Sequence, residues 1–331
     1  MNAPRPRAGP GRLLAAALAL AVLLPFAGGT WIAPAEILEG ADPATLTIFW
    51  QLRVPRVLLA LVAGAGLAAG GAVFQALFRN PLATPFTLGT ASGAGLGAAL
   101  AMSLGGGIVL LGLPGSMWGA FAGALLALGA VLVLSVSRWG RASETLLLFG
   151  VALAVFCSSL ILMIQYLSDQ AHSLGILRWL MGGLAVTGYR EVLVAALFCV
   201  PGCALVAAFA RGLDLLASGE TLAATRGLDV GRAKALLLVV VGLMVGAVVA
   251  ATGPVGFVGL IAPHVARRLF GAGHARMLPA ALMLGGLLLA VCDVLARSLL
   301  APAELPVGIL TALLGGPFFV WVLISNPAAS S

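Results

Sequence analysis

Ionisable side chains are scarce in this sequence, at 9% of residues, so the positions where they gather are the places to look for chemistry. The stretch SGETLAATRGLDV, Ser218 to Val230, brings Glu220, Arg226 and Asp229 close together. Two arginines, Arg53 and Arg56, lie about one helical turn apart in LRVPR, with Pro55 at an expected helix start, where its missing N–H costs little. Asp293 and Arg297 are spaced i, i+4, which permits an ion pair along one helix face. Cys199 and Cys203 have the same spacing, but no histidine or carboxylate is near them in sequence to complete a metal site. All four cysteines (Cys157, Cys199, Cys203, Cys292) therefore read as buried thiols acting as small apolar side chains. His264, after Pro263, reads as an interfacial structural residue. The sequence contains no GxxxxGK[ST] segment to cradle phosphates, no zincin or serine-nucleophile motif and no paired carboxylates on one helix, so ATP hydrolysis by the P-loop route is excluded and enzymatic chemistry has no basis.

The elements that must position these groups are membrane helices. Of 331 residues, 61% are hydrophobic and the mean hydropathy is +1.13, beyond what a soluble core of this size needs. A helix needs about 20 apolar residues to cross the bilayer core. The charge-free runs Leu13–Ala35, Val57–Phe78, Thr145–Ser168, Val192–Ala210 and Leu305–Ser331 fit one span each. Asn80–Ser137, broken at Gly105–Gly107, and Ala235–Ala266, broken at Thr252–Gly256, fit two each, and Met277 onward adds one more, giving about ten. Arg5, Arg7 and Arg12 ahead of the first run resemble a secretory signal, but the run continues through Trp31 and Ile32 and is read as the first span. With the N-terminus inside, thirteen Lys and Arg residues fall in the cytoplasm and five outside (Arg53, Arg56, Arg178, Arg190, Arg297), which favours N-in and C-in. The formal net charge of +7 then follows from topology and calls for no nucleic acid.

On that topology Ser218–Val230 is cytoplasmic. Ser218 is a plausible N-cap, Glu220 suits the first turn, Arg226 the last turn and Gly227 the C′ position, which predicts a surface helix of about eight residues. A helix that short needs something to pack against, either as a plain connector or as a docking element. Arg53, Arg56 and Arg297 oppose the charge bias on the outer side, where they either snorkel to headgroups or form a positive rim for an acidic partner. In FRNPLATPFTLG, Pro81 and Pro85 follow Arg79 and Asn80 and force a cytoplasmic turn.

Four long stretches carry a resemblance: LRVPRVLLALVAGAGLAAGGAVFQALFRNPLATPFTLGTASGAGLG, SGETLAATRGLDV, GPVGFVGLIAPHVARRLFG and CDVLARSLLAPAELPVGILTALLGGPFFVWVLI. Together they resemble the FecCD-type permeases, membrane subunits of ABC importers for iron-siderophore complexes, haem and vitamin B12. The likeness runs from about Leu13 to Ser325. It implies an all-α integral membrane protein of type II importer architecture, with tails at 1–12 and 326–331 in the cytoplasm around a single permease domain at 13–325, in the bacterial inner membrane. It further implies a homodimer, two ATPase subunits holding the ATP and Mg, an extracytoplasmic substrate-binding protein, and no cofactor on this chain. Glu220, Ala223 and Gly227 would touch the ATPase in a coupling helix at about 218–228. Arg53, Arg56 and Arg297 would meet glutamates of the binding protein. Asn80, Pro81, Leu82, Ala142 and Ser143 would form the inner gate, where acidic Glu144 departs from the family's pattern.

The expected activity is import of an iron chelate by alternating access, with cobalamin as the alternative cargo. A secondary carrier driven by ions would call for ionisable residues near the bilayer midplane. The sequence offers only Asp293, toward the outer end of its helix.

Overall fold

In the computed structural model, residues 10–105, 108–136 and 143–325 are described. The chain there is almost entirely helical: α1 (Pro10–Leu23), α2 (Pro34–Glu39), α3 (Pro43–Thr47), α4 (Val54–Leu77), α5 (Thr90–Gly105), α6 (Gly115–Val136), α7 (Ser143–Leu167), α8 (Gln170–Leu180), α9 (Arg190–Ala208), α10 (Ala210–Ala217), α11 (Glu220–Thr225), α12 (Val230–Thr252), α13 (Val258–Phe270), α14 (His274–Ser298) and α15 (Val307–Ser325). One two-stranded hairpin, β1 (Val109–Leu110) and β2 (Leu113–Pro114), links α5 to α6 in antiparallel register, Leu110 opposite Leu113.

Among the described residues, six helical segments are long and apolar enough to cross a membrane: Pro43–Leu77, Gly115–Ser135, Thr145–Leu167, Arg190–Ala208, Val230–Thr252 and His274–Ser298. The helix carrying Arg53 and Arg56 does not begin at LRVPR as the sequence predicts. It begins at Pro43, capped by Asp42, and passes through a π-helical turn, Ile48–Arg53, into α4. Proline explains the wider turn: Val54 N–H reaches back to the Phe49 carbonyl and Pro55 has no N–H to offer, so the register shifts without breaking the helix.

α4 is the centre of the bundle. The most apolar stretch of Pro43–Leu77 is 78% buried, against 17% for Thr145–Leu167 on the periphery. α9, α12, α13 and α14 pack around α4, while α5, α6 and α7 form an adjoining group. Backbones touch where glycines meet: a Cβ at Gly71 of α4 would overlap the Gly259 carbonyl of α13, and one at Gly97 of α5 would overlap Gly119 of α6. Small residues at such crossings let dispersion contacts replace the hydrophobic drive that lipid does not supply.

The break expected at Thr252–Gly256 is present between α12 and α13. Its carbonyls are not left bare, since Gly183 N–H donates to the Thr252 carbonyl at 2.7 Å. This is how non-helical backbone survives inside a bundle. α13 continues through Pro263, and Arg267 donates to Gln75 of α4 at 3.1 Å.

Candidate functional site

Chemistry-bearing side chains collect at the two ends of α4. With 24 residues at 1.5 Å each, α4 separates those ends by about 36 Å.

At its C-terminal end, α4 stops at Leu77, Arg79 takes φ 48, and Asn80 closes the turn by accepting Leu82 N–H on Oδ1 at 2.9 Å. Pro81 is exposed beside it. Of the other predicted gate residues, Ala142 lies outside the described residues, as do the side chains of Ser143, which opens α7, and Glu144. The terminal segment 326–331 is outside them as well.

The segment predicted to couple to an ATPase lies at this same end, where Gly219 approaches the Arg79 guanidinium. Its helix, α11, has six residues and not eight, because Ser218 is not its N-cap. The Ser218 hydroxyl donates to the Asp214 carbonyl at 2.9 Å and Ser218 ends α10, while Gly219, at φ 122, starts α11. The C-terminus matches the expected pattern closely. Gly227 has φ 84, its N–H donates to the Ala224 carbonyl, and Leu228 N–H donates to the Ala223 carbonyl, the paired bonds of a Schellman cap. Ala223 is completely buried, so its methyl faces the chain's own core and not a partner. Thr221, Leu222, Ala224, Thr225, Arg226 and Gly227 are exposed.

Two long-range contacts fasten this segment to the bundle. Lys234 Nζ of α12 donates to Glu220 Oε1 at 2.6 Å. Asp214 of α10 accepts both the backbone N–H of His274 at 3.0 Å and a 2.6 Å contact with its Nδ1, at the start of α14. The sequence reading missed both partners. A signal for the first existed: Lys234 is the only lysine in the chain.

At the N-terminal end of α4, the three arginines converge but are not a free rim. Arg53 is 7% exposed and donates to the Pro25, Phe26 and Thr30 carbonyls and the Thr30 hydroxyl, at 2.7 to 3.5 Å. It ties the segment after α1 to α4, because carbonyls at the end of the short turn Leu24–Phe26 need donors. Arg56 donates through Nε to Asp293 Oδ1 and through Nη1 to Glu304 Oε2, both at 2.8 Å. Arg297 Nε lies 3.2 Å from Asp293 Oδ2, so the i, i+4 pair forms, but it is not aligned as a hydrogen bond, and Arg297 Nη2 is buried without a hydrogen-bond partner among the described residues. Asp293 is fully buried and compensated from both sides, whereas the Glu304 side chain is 51% exposed. Arg53, Arg56, Arg297 and Glu304, but not Asp293, line an open cavity of about 710 Å³ between the π turn, Ala185–Thr187 and the loop after α14. Glu304, the carboxylate that sets the balance here, escaped the sequence reading because its partner is 248 residues away.

Elsewhere, Cys199 and Cys203 are free, and no group of metal-ligating side chains is found among the described residues. The His264 ring sits edge-on to Phe318 at 5.8 Å, and Arg268 lies 5.0 Å above the Trp321 ring, contacts that join α13 to α15.

A sequence model of the FecCD transport family matches residues 13–325. The hemin transport system permease protein HmuU of Yersinia pestis is 42% identical over 279 residues, covering 84% of this chain and 83% of that protein. The vitamin B12 import system permease protein BtuC of Salmonella typhimurium is 40% identical over 311 residues, covering 93% and 92%. Among solved structures, a metal-chelate type ABC transporter in an inward-facing conformation superposes with a TM-score of 0.84 at 31% identity, over 95% of this chain and 99% of that one. PsaBC from Streptococcus pneumoniae, solved with a Fab, shares the fold alone, at TM-score 0.53 and 18% identity over 81% and 89%.

Proposed function

The chain belongs to the FecCD transport family, and from that membership we propose that it is the membrane-spanning permease of an ATP-binding-cassette importer whose cargo is an iron chelate, a ferric siderophore or haem. It is a multi-pass protein of the inner membrane and a transport component. On this reading the six long helices, the shorter apolar stretches Ala15–Phe26 and Val307–Val322, and the helices α5 and α13 together make ten spans with both termini inside. The working unit is a dimer of this permease with two separate ATPase subunits that carry the ATP and Mg, in a type II architecture.

The observation that carries this reading is the two-ended construction. A six-residue helix with one buried methyl and an otherwise open surface is braced by Glu220–Lys234 and Asp214–His274 at one end of α4, and an arginine-lined cavity opens at the other. On this reading the first receives a mechanical partner and the second an acidic one. Among the described residues, the only carboxylate buried within a long span is Asp293, already paired with two arginines, so none there offers a coupling-ion site. ATP-driven closure of the ATPases would move the coupling helices, and the packed helices would follow as rigid bodies between outward and inward states.

Similarity to the haem permease supports iron chelates, and the longer match to the B12 permease supports cobalamin as a second reading. The test is to copurify the chain with its ATPase and binding protein, reconstitute the assembly in vesicles, and supply ferric siderophore, haem or cobalamin with and without ATP. ATP-dependent uptake of an iron chelate that requires the binding protein is the expected result. Uptake of cobalamin alone replaces the cargo. Uptake that persists without ATP and collapses with an uncoupler overturns the importer reading.

A further inference from the structure

Arg56 has two carboxylate partners of different character. Asp293 has no exposed surface and holds Nε at 2.8 Å; Glu304 holds Nη1 at the same distance but has about half of its side chain in solvent, on the loop that follows α14. A buried pair is costly to open because the charge left behind cannot be rehydrated, whereas a solvent-exposed pair is held by little and exchanges readily. Arg56 and Glu304 both line the arginine-rich cavity, and Glu304 is the only carboxylate among its described lining residues. Resting on the docking reading above, we propose that Glu304 is an internal stand-in for the binding protein's carboxylate: it occupies Arg56 Nη1 while the permease is free, and the partner's acidic side chain displaces it on docking.

The arrangement has a physical rationale. With Asp293 shared by Arg56 and Arg297, and Arg53 spent on backbone carbonyls, Glu304 keeps the Arg56 fork oriented and its charge balanced when no partner is present. Docking then swaps one carboxylate for another without uncovering a bare guanidinium. The exchange lowers affinity, because the incoming group must compete with the resident one, and so it favours release of the binding protein after each delivery.

The test is a cycle of four permease assemblies, wild type, Glu304→Gln, Arg56→Lys and the double variant, measured for affinity to the immobilised binding protein. Arg56→Lys keeps a cation beside Asp293, so the buried charge stays compensated and the fold is retained, but the second arm of the fork is gone. Glu304→Gln changes only an exposed loop side chain. The expected result is binding about 2- to 5-fold tighter for Glu304→Gln, the range of an exposed ion pair. Arg56→Lys should bind about tenfold more weakly, with no gain from Glu304→Gln on that background. Unchanged or weaker binding by Glu304→Gln overturns the exchange and leaves docking at Arg56 standing. An equal gain on both backgrounds overturns it as well, since that is a general field effect of removing an acid. If Arg56→Lys leaves affinity unchanged, the docking reading itself falls, and the exchange with it.

Discussion

Gly227 offers a way to perturb the coupling segment through its backbone alone. Its φ of 84 is in the left-handed region, and a Cβ added there meets nothing within 4 Å. The cost of Gly227→Ala is therefore conformational, about 1–2 kcal/mol for an L-residue in that region. At 1.4 kcal/mol per factor of ten, alanine shifts the balance between closed cap and frayed helix end by about tenfold. Asparagine, which tolerates left-handed backbone better, should cost less. Proline should cost the most, at least about 3 kcal/mol, because its ring imposes a negative φ and removes the N–H that donates to the Ala224 carbonyl. Since Gly227 is exposed and outside the long spans, none of these variants should impair insertion. The assay is substrate imported per ATP hydrolysed in vesicles containing the complete importer, with ATPase copurification measured in parallel. The expected order of coupling is glycine, asparagine, alanine, proline. A proline variant that transports with unaltered stoichiometry would refute the cap argument. Equal losses for alanine and proline would show instead that the position senses side-chain bulk against the ATPase.

Three further expectations follow from the same contacts. Asp293→Asn leaves Arg56 and Arg297 facing each other with their shared carboxylate gone, and should lower stability by about 3–5 kcal/mol, read as a fall in the melting temperature of the detergent-solubilised protein; a melting temperature within a degree or so of the parent counts against a buried ion network. Glu220→Gln should cost only about 0.5 kcal/mol of stability, since the pair is partly solvated, whereas Glu220→Arg sets two cations together and should sharply reduce transport per ATP. Equal transport by both variants would detach the Glu220–Lys234 contact from coupling. At Asp169, the backbone N–H of His172 holds the carboxyl below its ordinary 3.8. The sign is that of a depressed acid: its stabilisation of the first turn of α8 is complete above pH 3.8 and is lost as pH falls through the lower folded value. Protection of the His172 amide, its exchange rate relative to the intrinsic rate at the same pH, should fall only in that acidic range, and a loss of protection near pH 6 would contradict the cap.

What was legible in the sequence was local or additive. Apolar run length identified the six helices long enough to cross a membrane, the end of α5 at Gly105 and the break at Thr252–Gly256, because crossing a bilayer depends on the content of one contiguous segment. The Schellman end at Gly227 and the i, i+4 contact of Asp293 with Arg297 were readable for the same reason, each being decided within about one helical turn. Where a neighbouring local feature competed, the reading failed. Ser218 has the chemistry of an N-cap but closes the preceding helix, and Pro55, which looked like a helix start, is absorbed by the π turn before it.

Only the tertiary structure decided which charges are free. Arg53, Arg56 and Arg297 look equivalent in the sequence, yet one is spent on backbone carbonyls, one bridges a buried and an exposed carboxylate, and one lies buried against Asp293. Arg56 finds its partners 237 and 248 residues away, and Asp214 finds His274 across 60. No periodicity encodes such separations. They exist because glycine-lined crossings bring α4 and α14 into backbone contact, so that the positions of a few charges are set by helix packing and not by their neighbours in the chain.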